Sequence, residues 1–338
     1  MAFLKNVNKK SKTLLNSGFG TNSSNYGGRF INKDGSANVE KRGMNFFSRI
    51  SWFHTMIEMP TAKFMIIILL LYTTINFVFA VIYFAIGIEN LKGINTSNSA
   101  WVQFGQACFF SAQTFTTVGY GHISPSGFLT SAVSSAEALI GLLSFAIATG
   151  LFFGRFSMPV AFLKFSHNSI IAPYGDIKAL MIRMVPYKNT NFTDAEAKVT
   201  LGINVEEKGI LINKFYPLEL EFDKINALNL SWTLVHPITE ESPLFQFDKE
   251  KFNNITGEIF VFVKTFDDMF STVVATRTSY TFEEVFYGAK FKPMFTRSID
   301  NKKTILNLDL LDEYEEINFQ KSNFKNKELL NVVKQNCH

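Results

Sequence analysis

The amino-acid sequence predicts an α-helical membrane unit with two spans, followed by a β-sandwich domain. Three observations lead there. Residues 64–88 and 127–153 are apolar runs, the first without a charge and the second with Glu137 alone. Between them lie a shorter apolar stretch and a glycine-rich segment. After residue 165 the pattern turns to short alternating strands. With 338 residues, 47% of them hydrophobic and 18% charged, the chain has room for a membrane part and one further domain, and it is too polar to be membrane throughout.

Residues 1–43 are rich in Asn, Ser, Gly and Lys, lack an apolar core, and are expected to be mostly disordered. They are no signal peptide, because no apolar region follows the early lysines closely. Residues 44–160 form the membrane part. It opens with an amphipathic stretch, 45–59, in which Phe46, Phe47, Ile50, Phe53, Met56 and Ile57 recur at helical spacing. Trp52 suits a membrane interface, and Pro60 ends or kinks this helix. The run 64–88, about 25 residues, is long enough to span a bilayer with some tilt. Residues 100–114 are apolar but too short to cross, and fit a re-entrant helix buried in protein.

Residues 161–310 read as the sandwich. Ala197, Val199, Leu201, Ile203 and Val205 alternate with Lys198, Thr200, Gly202 and Asn204, the period of a half-buried strand. Further strands are expected at 178–186, 218–222, 258–265 and 271–277, separated by turn residues. Residues 311–338 are charged and less patterned, a loosely ordered tail.

Between the two runs stand Thr116, Thr117, Val118, Gly119, Tyr120 and Gly121. Such a segment can aim successive backbone carbonyls and a threonine hydroxyl at one axis. Four copies around that axis stack rings of oxygen that replace the water shell of a potassium ion. Thr117, Val118, Gly119 and Tyr120 would bind the ion through carbonyls, with potassium as permeant ion and no organic cofactor. The two glycines matter because alternating dihedrals demand positive φ. A homotetramer follows from the ring.

Basic residues set the orientation. Lys5, Lys9, Lys10, Lys12, Arg29, Lys33, Lys41, Arg42 and Arg49 precede the first span, Arg155 and Lys164 follow the second, and the loop between has Lys92 alone. Both termini are therefore expected in the cytoplasm, with the chain multi-pass in the inner (plasma) membrane. The net charge of +4 gives no case for nucleic acid. Cys108 and Cys337 make no disulfide framework, and five scattered histidines make no metal site.

Glu137 is an acid inside a span, and such a residue faces water or a partner. Helical steps of four put Glu137, Gly141, Phe145, Thr149 and Phe153 on one stripe. If that stripe lines a cavity, Glu137, Phe145 and Thr149 face the ion path, and four carboxylates attract cations. In the alternative, Glu137 packs behind the filter. Phe153 can form a hydrophobic gate that closes by dewetting. Gly141 is either a hinge or a small residue permitting close helix packing. Arg49, Trp52, Lys63 and Arg155 can hold anionic lipid headgroups or simply snorkel. His236 reads as a structural histidine, and Asp267 and Asp268 as a solvated turn.

Residues 45–300 resemble the inward-rectifier potassium channel family, its prokaryotic members more than its animal ones. The resemblance rests on Thr117–Gly121, on Arg155-Phe156-Ser157-Met158-Pro159, on Leu230 to Ile238 (LSWTLVHPI), on Thr276-Arg277-Thr278-Ser279-Tyr280 and on Glu241-Ser242-Pro243-Leu244. It implies a tetramer with an amphipathic slide helix, a two-span pore and an immunoglobulin-like cytoplasmic domain that extends the conduction path. Departures stand beside it. Gln113 replaces the glutamate many members carry behind the filter, and His122 follows the filter. The stretch 158–162 is apolar where animal members place a basic cluster, which argues against phosphoinositide activation. Phe145 stands where strong rectifiers carry an acid, which implies weak rectification.

The expected function is thus a potassium-selective channel gated through its cytoplasmic domain. The alternative is a two-span channel gated by a ligand bound to that domain. A nucleotide would call for βαβ units with a Gly-rich turn, and the C-terminal half has strands without alternating helices. No nucleophile–base constellation supports a membrane-anchored enzyme.

Overall fold

The computed structural model describes residues 8, 10, 11, 13, 29–40, 42, 43, 45, 51–94, 99–207 and 210–317. The chain divides into two compact units: Lys41–Met158, and Pro159–His338 together with Met1–Glu40.

The first unit is helical. A short helix α1 (Trp52–Glu58) precedes α2 (Thr61–Ile86). Pro60 separates them, because proline disfavours helical backbone at the residue before it. Helix α2 stops at Gly87, where φ is 114° and a Cβ would lie 2.3 Å from the Glu89 carboxylate. Helix α3 (Ala100–Phe115) is the short re-entrant element, and α4 (Phe128–Phe156) the second long helix. Helices α2 and α4 are long and apolar enough to cross a membrane.

Aromatic edges fasten α3 to α2. Tyr83 meets Phe110 with ring centroids 5.1 Å apart, Phe77 meets Phe104 at 5.6 Å, and Tyr72 meets Phe115 at 5.8 Å. A two-residue ladder of β1 (Leu91–Lys92) and β2 (Ser124–Pro125) ties the end of α2 to the segment after Gly121.

The second unit is a sandwich of two five-stranded sheets. One sheet runs β11 (Thr272–Thr281), β10 (Gly257–Asp267), β6 (Phe192–Glu207), β7 (Ile210–Leu218), with β8 (Lys224–Ala227) also on β6. The other runs β12 (Val285–Tyr287), β4 (Ser169–Tyr174), β5 (Ile177–Pro186), β3 (Leu163–Phe165), with β9 (Trp232–Ile238) also on β5. Alternate residues point inward, so Leu201 and Ile203 of β6, Ile259 and Val261 of β10, and Leu180 and Ile182 of β5 share one core.

Three expectations are corrected. The strand expected at 218–222 ends instead at Leu218, because the pairing with β6 occupies 210–218. Residues 29–40 are not a disordered segment. Asn32 to Ser36 make a tight turn, Ile31 bridges Ala37, and Ile31 packs with Phe215 and Phe260. The buried Glu258 carboxylate accepts the amides of Phe30 (2.7 Å) and Ile31 (3.2 Å). Arg277 Nε, Thr278 Oγ1 and Ser279 Oγ bond the carbonyls of Gly35, Lys33 and Ile31. The tail is also structured as far as residue 317, since Tyr314–Glu316 pairs with Ala289–Phe291.

Candidate functional site

Helix α3 ends at Thr116, and the next residues turn back on it. The amide of Thr117 donates to Thr114 O at 3.0 Å, and those of Val118 and Gly119 donate to Gln113 O at 3.0 and 3.2 Å. Backbone φ is positive at Thr117 (57°), Gly119 (52°) and Gly121 (78°), and not at Val118 or Tyr120. Every second residue is thus left-handed, the alternation that turns consecutive carbonyls toward one side. Thr117 adopts it with a Cβ, a conformation costing about 1–2 kcal/mol. Among the described residues no backbone amide donates to the carbonyls of residues 117–120. The carbonyl end of α3, the negative pole of its dipole, adjoins this segment.

The Glu137 stripe splits. Glu137 does not face a cavity: it is fully buried, and its carboxylate accepts the Tyr83 hydroxyl of α2 at 2.5 Å and the Ser111 hydroxyl of α3. Ser111 Oγ also lies 3.1 Å from Asn76 Oδ1, and Asn76 Nδ2 donates to Tyr72 O at 2.7 Å. This polar cluster joins three helices, and sequence reasoning missed Asn76, Tyr83 and Ser111. Their signal was present, as polar residues inside otherwise apolar helices.

Gly141 is also buried. A Cβ there would lie 1.9 Å from Phe115 O, so α4 touches the backbone at the end of α3. Close packing, rather than a hinge, accounts for this glycine. One turn further on α3 no longer covers α4. Phe145, Thr149 and Phe153 are exposed, the two phenylalanines each at 73%.

Arg155 is not free for a headgroup. Its Nη1 donates to Met56 O (2.8 Å) and Ile57 O (2.7 Å), its Nη2 to Met59 O (2.8 Å), and the guanidinium covers the Phe64 ring at 4.7 Å. It caps the last carbonyls of α1, groups that a helix leaves unsatisfied. Gly154 lets Ile57 lie close, a Cβ there being 3.3 Å from Ile57 Cδ1. Trp52 and Lys63 are exposed, and Arg49 lies outside the described residues.

In the other unit His236 is buried, with Nδ1 donating to Glu219 O at 2.6 Å and Nε2 bonded to Ser242 Oγ at 2.8 Å. Burial holds its pKa below the ordinary value. Asp267 is buried rather than solvated, one oxygen accepting the Met269 amide at 2.9 Å.

Residues 163–331 match the family described as inward rectifier potassium channel C-terminal domain, and residues 64–157 match the one described as ion channel. The chain is 29% identical over 284 residues to the inward rectifier potassium channel Kirbac3.1 of Paramagnetospirillum magnetotacticum, covering 82% of this chain and 92% of that one. It is 24% identical over 288 residues to the ATP-sensitive inward rectifier potassium channel 12 of Gallus gallus, covering 79% and 67%. It is 23% identical over 293 residues to the G protein-activated inward rectifier potassium channel 2 of Pongo abelii, covering 79% and 68%. With the C-terminal family match spanning half of its length and the ion-channel match running from the first long helix to the end of the second, the chain belongs to the inward rectifier potassium channel family and is a membrane channel, not an enzyme.

Proposed function

We propose that this channel passes potassium through carbonyl rings built by Thr117, Val118, Gly119 and Tyr120 of four copies of the chain. The observation that carries this reading is the alternation of φ sign over residues 117–121, with the amides of 117–119 turned back to α3. Such a ring strips the ion of water and replaces it with fixed dipoles at little reorganisation cost. The carbonyl end of α3 adds a favourable potential for a cation below the ring.

A tetramer is favoured by an apolar groove of about 560 Å³ lined by Ile67, Leu71, Phe115, Thr117, Phe145 and Ala148. Its walls suit the second long helix of a neighbouring copy. Phe145 and Thr149 then border the conduction path, and Phe153 narrows its far end as an apolar gate. Both termini lie in the cytoplasm, and the sandwich gates the pore from there. Trp52 and Lys63 sit at the lipid surface, where anionic headgroups favour the lysine.

The test is potassium against sodium flux in liposomes holding purified tetramer, for the wild type and Gly119→Ala. Potassium-selective flux in the wild type and its loss in an assembled Gly119→Ala tetramer are expected. Undiminished selective flux in the variant overturns the filter assignment.

A further inference from the structure

Between β9 and the helix α5 (Lys249–Asn254), the loop 239–243 presents two adjacent acids, Glu240 and Glu241. It is pinned from within by the Ser242–His236 bond, while Leu244 N donates to Ser242 Oγ at 3.1 Å. On its outer side sits the chain's own N-terminal segment. Asn8 Nδ2 donates to the carbonyls of Glu240 (2.5 Å) and Ser242 (3.0 Å). Lys10 Nζ meets the Glu240 carboxylate at 2.8 Å. The Lys10 amide and the Ser11 hydroxyl bond back to Asn8 at 3.2 and 2.7 Å, so these residues form a turn fitted to the loop. Between turn and loop lies a cavity of about 220 Å³ that Glu219, His236 and Glu241 help to line.

Charge and place give the contact a use. The chain carries Lys5, Lys9, Lys10 and Lys12 and no acid before Asp34. The loop follows Ile238, which pairs with Lys178 at one end of β5, whereas the chain enters the sandwich at Leu163, which pairs with Pro186 at the other. About 25 Å of strand separates the two ends. Docked, Lys10 is held at the end remote from the chain's entry. The Lys10–Glu240 pair is well solvated, its side chains 64% and 73% exposed, so it is weak and easily screened. The attraction of a lysine cluster to an anionic bilayer, by contrast, grows with each charge.

We propose that the turn carrying Asn8, Lys10 and Ser11 is a releasable basic latch, docked on the acidic loop 239–243 and drawn off it by an anionic membrane surface. The experiment uses the full-length channel with Cys108→Ser and Cys337→Ser, spin-labelled at Thr13→Cys and Phe245→Cys, in nanodiscs. Electron–electron distances are read in neutral lipid and in lipid with a third phosphatidylglycerol. A short-distance population is expected in neutral lipid, reduced at least threefold by anionic lipid. Lys10→Glu should remove it in neutral lipid, and adding Glu240→Lys should restore it. Absence of the short population in neutral lipid, its persistence in Lys10→Glu, or its indifference to anionic lipid overturns the latch. The readout is a distance, so it stands apart from the filter assignment.

Discussion

Replacing Glu137 separates a brace from a cavity charge. Ser111 Oγ lies within bonding reach of both Glu137 and Asn76 Oδ1, and one hydroxyl proton serves only one of them. Glu137→Gln supplies an amide donor for Ser111 Oγ, frees the serine proton for Asn76, and keeps an acceptor for Tyr83. The variant should therefore lie within about 1 kcal/mol of wild type per subunit. Glu137→Ala strands the buried Tyr83 hydroxyl, at about 1–3 kcal/mol, while Ser111 can still donate to Asn76, and it opens a hole among three helices. A loss of about 2–5 kcal/mol per subunit is expected, seen as a lower melting temperature of the tetramer in fluorescence-detected gel filtration. Block by cytoplasmic magnesium or spermine should be the same in wild type and Glu137→Gln. Weaker block in Glu137→Gln with an unchanged melting temperature would refute the brace and return Glu137 to the ion path.

Gly141→Ala gains helix propensity of about 1 kcal/mol, but its Cβ meets Phe115 backbone at 1.9 Å. Overpacking of about 1–3 kcal/mol should win, and the tetramer should melt lower; a higher melting temperature would show that α4 can yield. Arg155→Lys keeps the charge and loses the fork that reaches three carbonyls, so about 1.5–3 kcal/mol of helix docking should go. Proteolysis after α1 should speed up in that variant and not in Lys63→Gln. His236 has its pKa lowered by burial, so the unfolded chain binds the extra proton first as pH drops. Its contribution should be intact above the ordinary histidine range and fall as pH drops through that range toward the folded value. Melts of the channel should show an acid loss that shrinks in His236→Gln; an equal slope in both would remove His236 from the account.

The two long helices were legible because a span needs a sustained apolar run of more than about 20 residues. Helix α4 nevertheless continues through Arg155, because the guanidinium finds carbonyls on α1 and need not reach water. That outcome depends on a partner about a hundred residues away, which local pattern cannot supply. The backbone alternation over 117–121 was legible because it is local: glycines at alternate positions announce positive φ, and within that segment Thr117 joins them without being glycine. Strand β9 alternates cleanly, yet it includes Pro237, a residue that reads as a break. The turn at 32–36 was missed because Ile31 and Phe30 are too few to read as a core. They become one only against Phe215 and Phe260, which lie on different strands.

The polar side chains buried in the helical unit share a use. Asn76, Tyr83, Ser111 and Glu137 satisfy one another, and Arg155 is absorbed by α1. Breaking such a buried group from its partner costs more than the pair gains, so each fixes one helix arrangement against its alternatives. Glu137 and Arg155 are therefore held by partners, and what residues 117–120 present is backbone: their carbonyls beside the carbonyl end of α3. Fixed dipoles do not titrate near neutrality. If those carbonyls carry the selectivity, potassium over sodium selectivity should stay flat from about pH 6 to 8, even with His122 directly after Gly121. Selectivity measured as reversal potential in planar bilayers checks this, and a shift across that range would mean that a titrating side chain shares the ion's path.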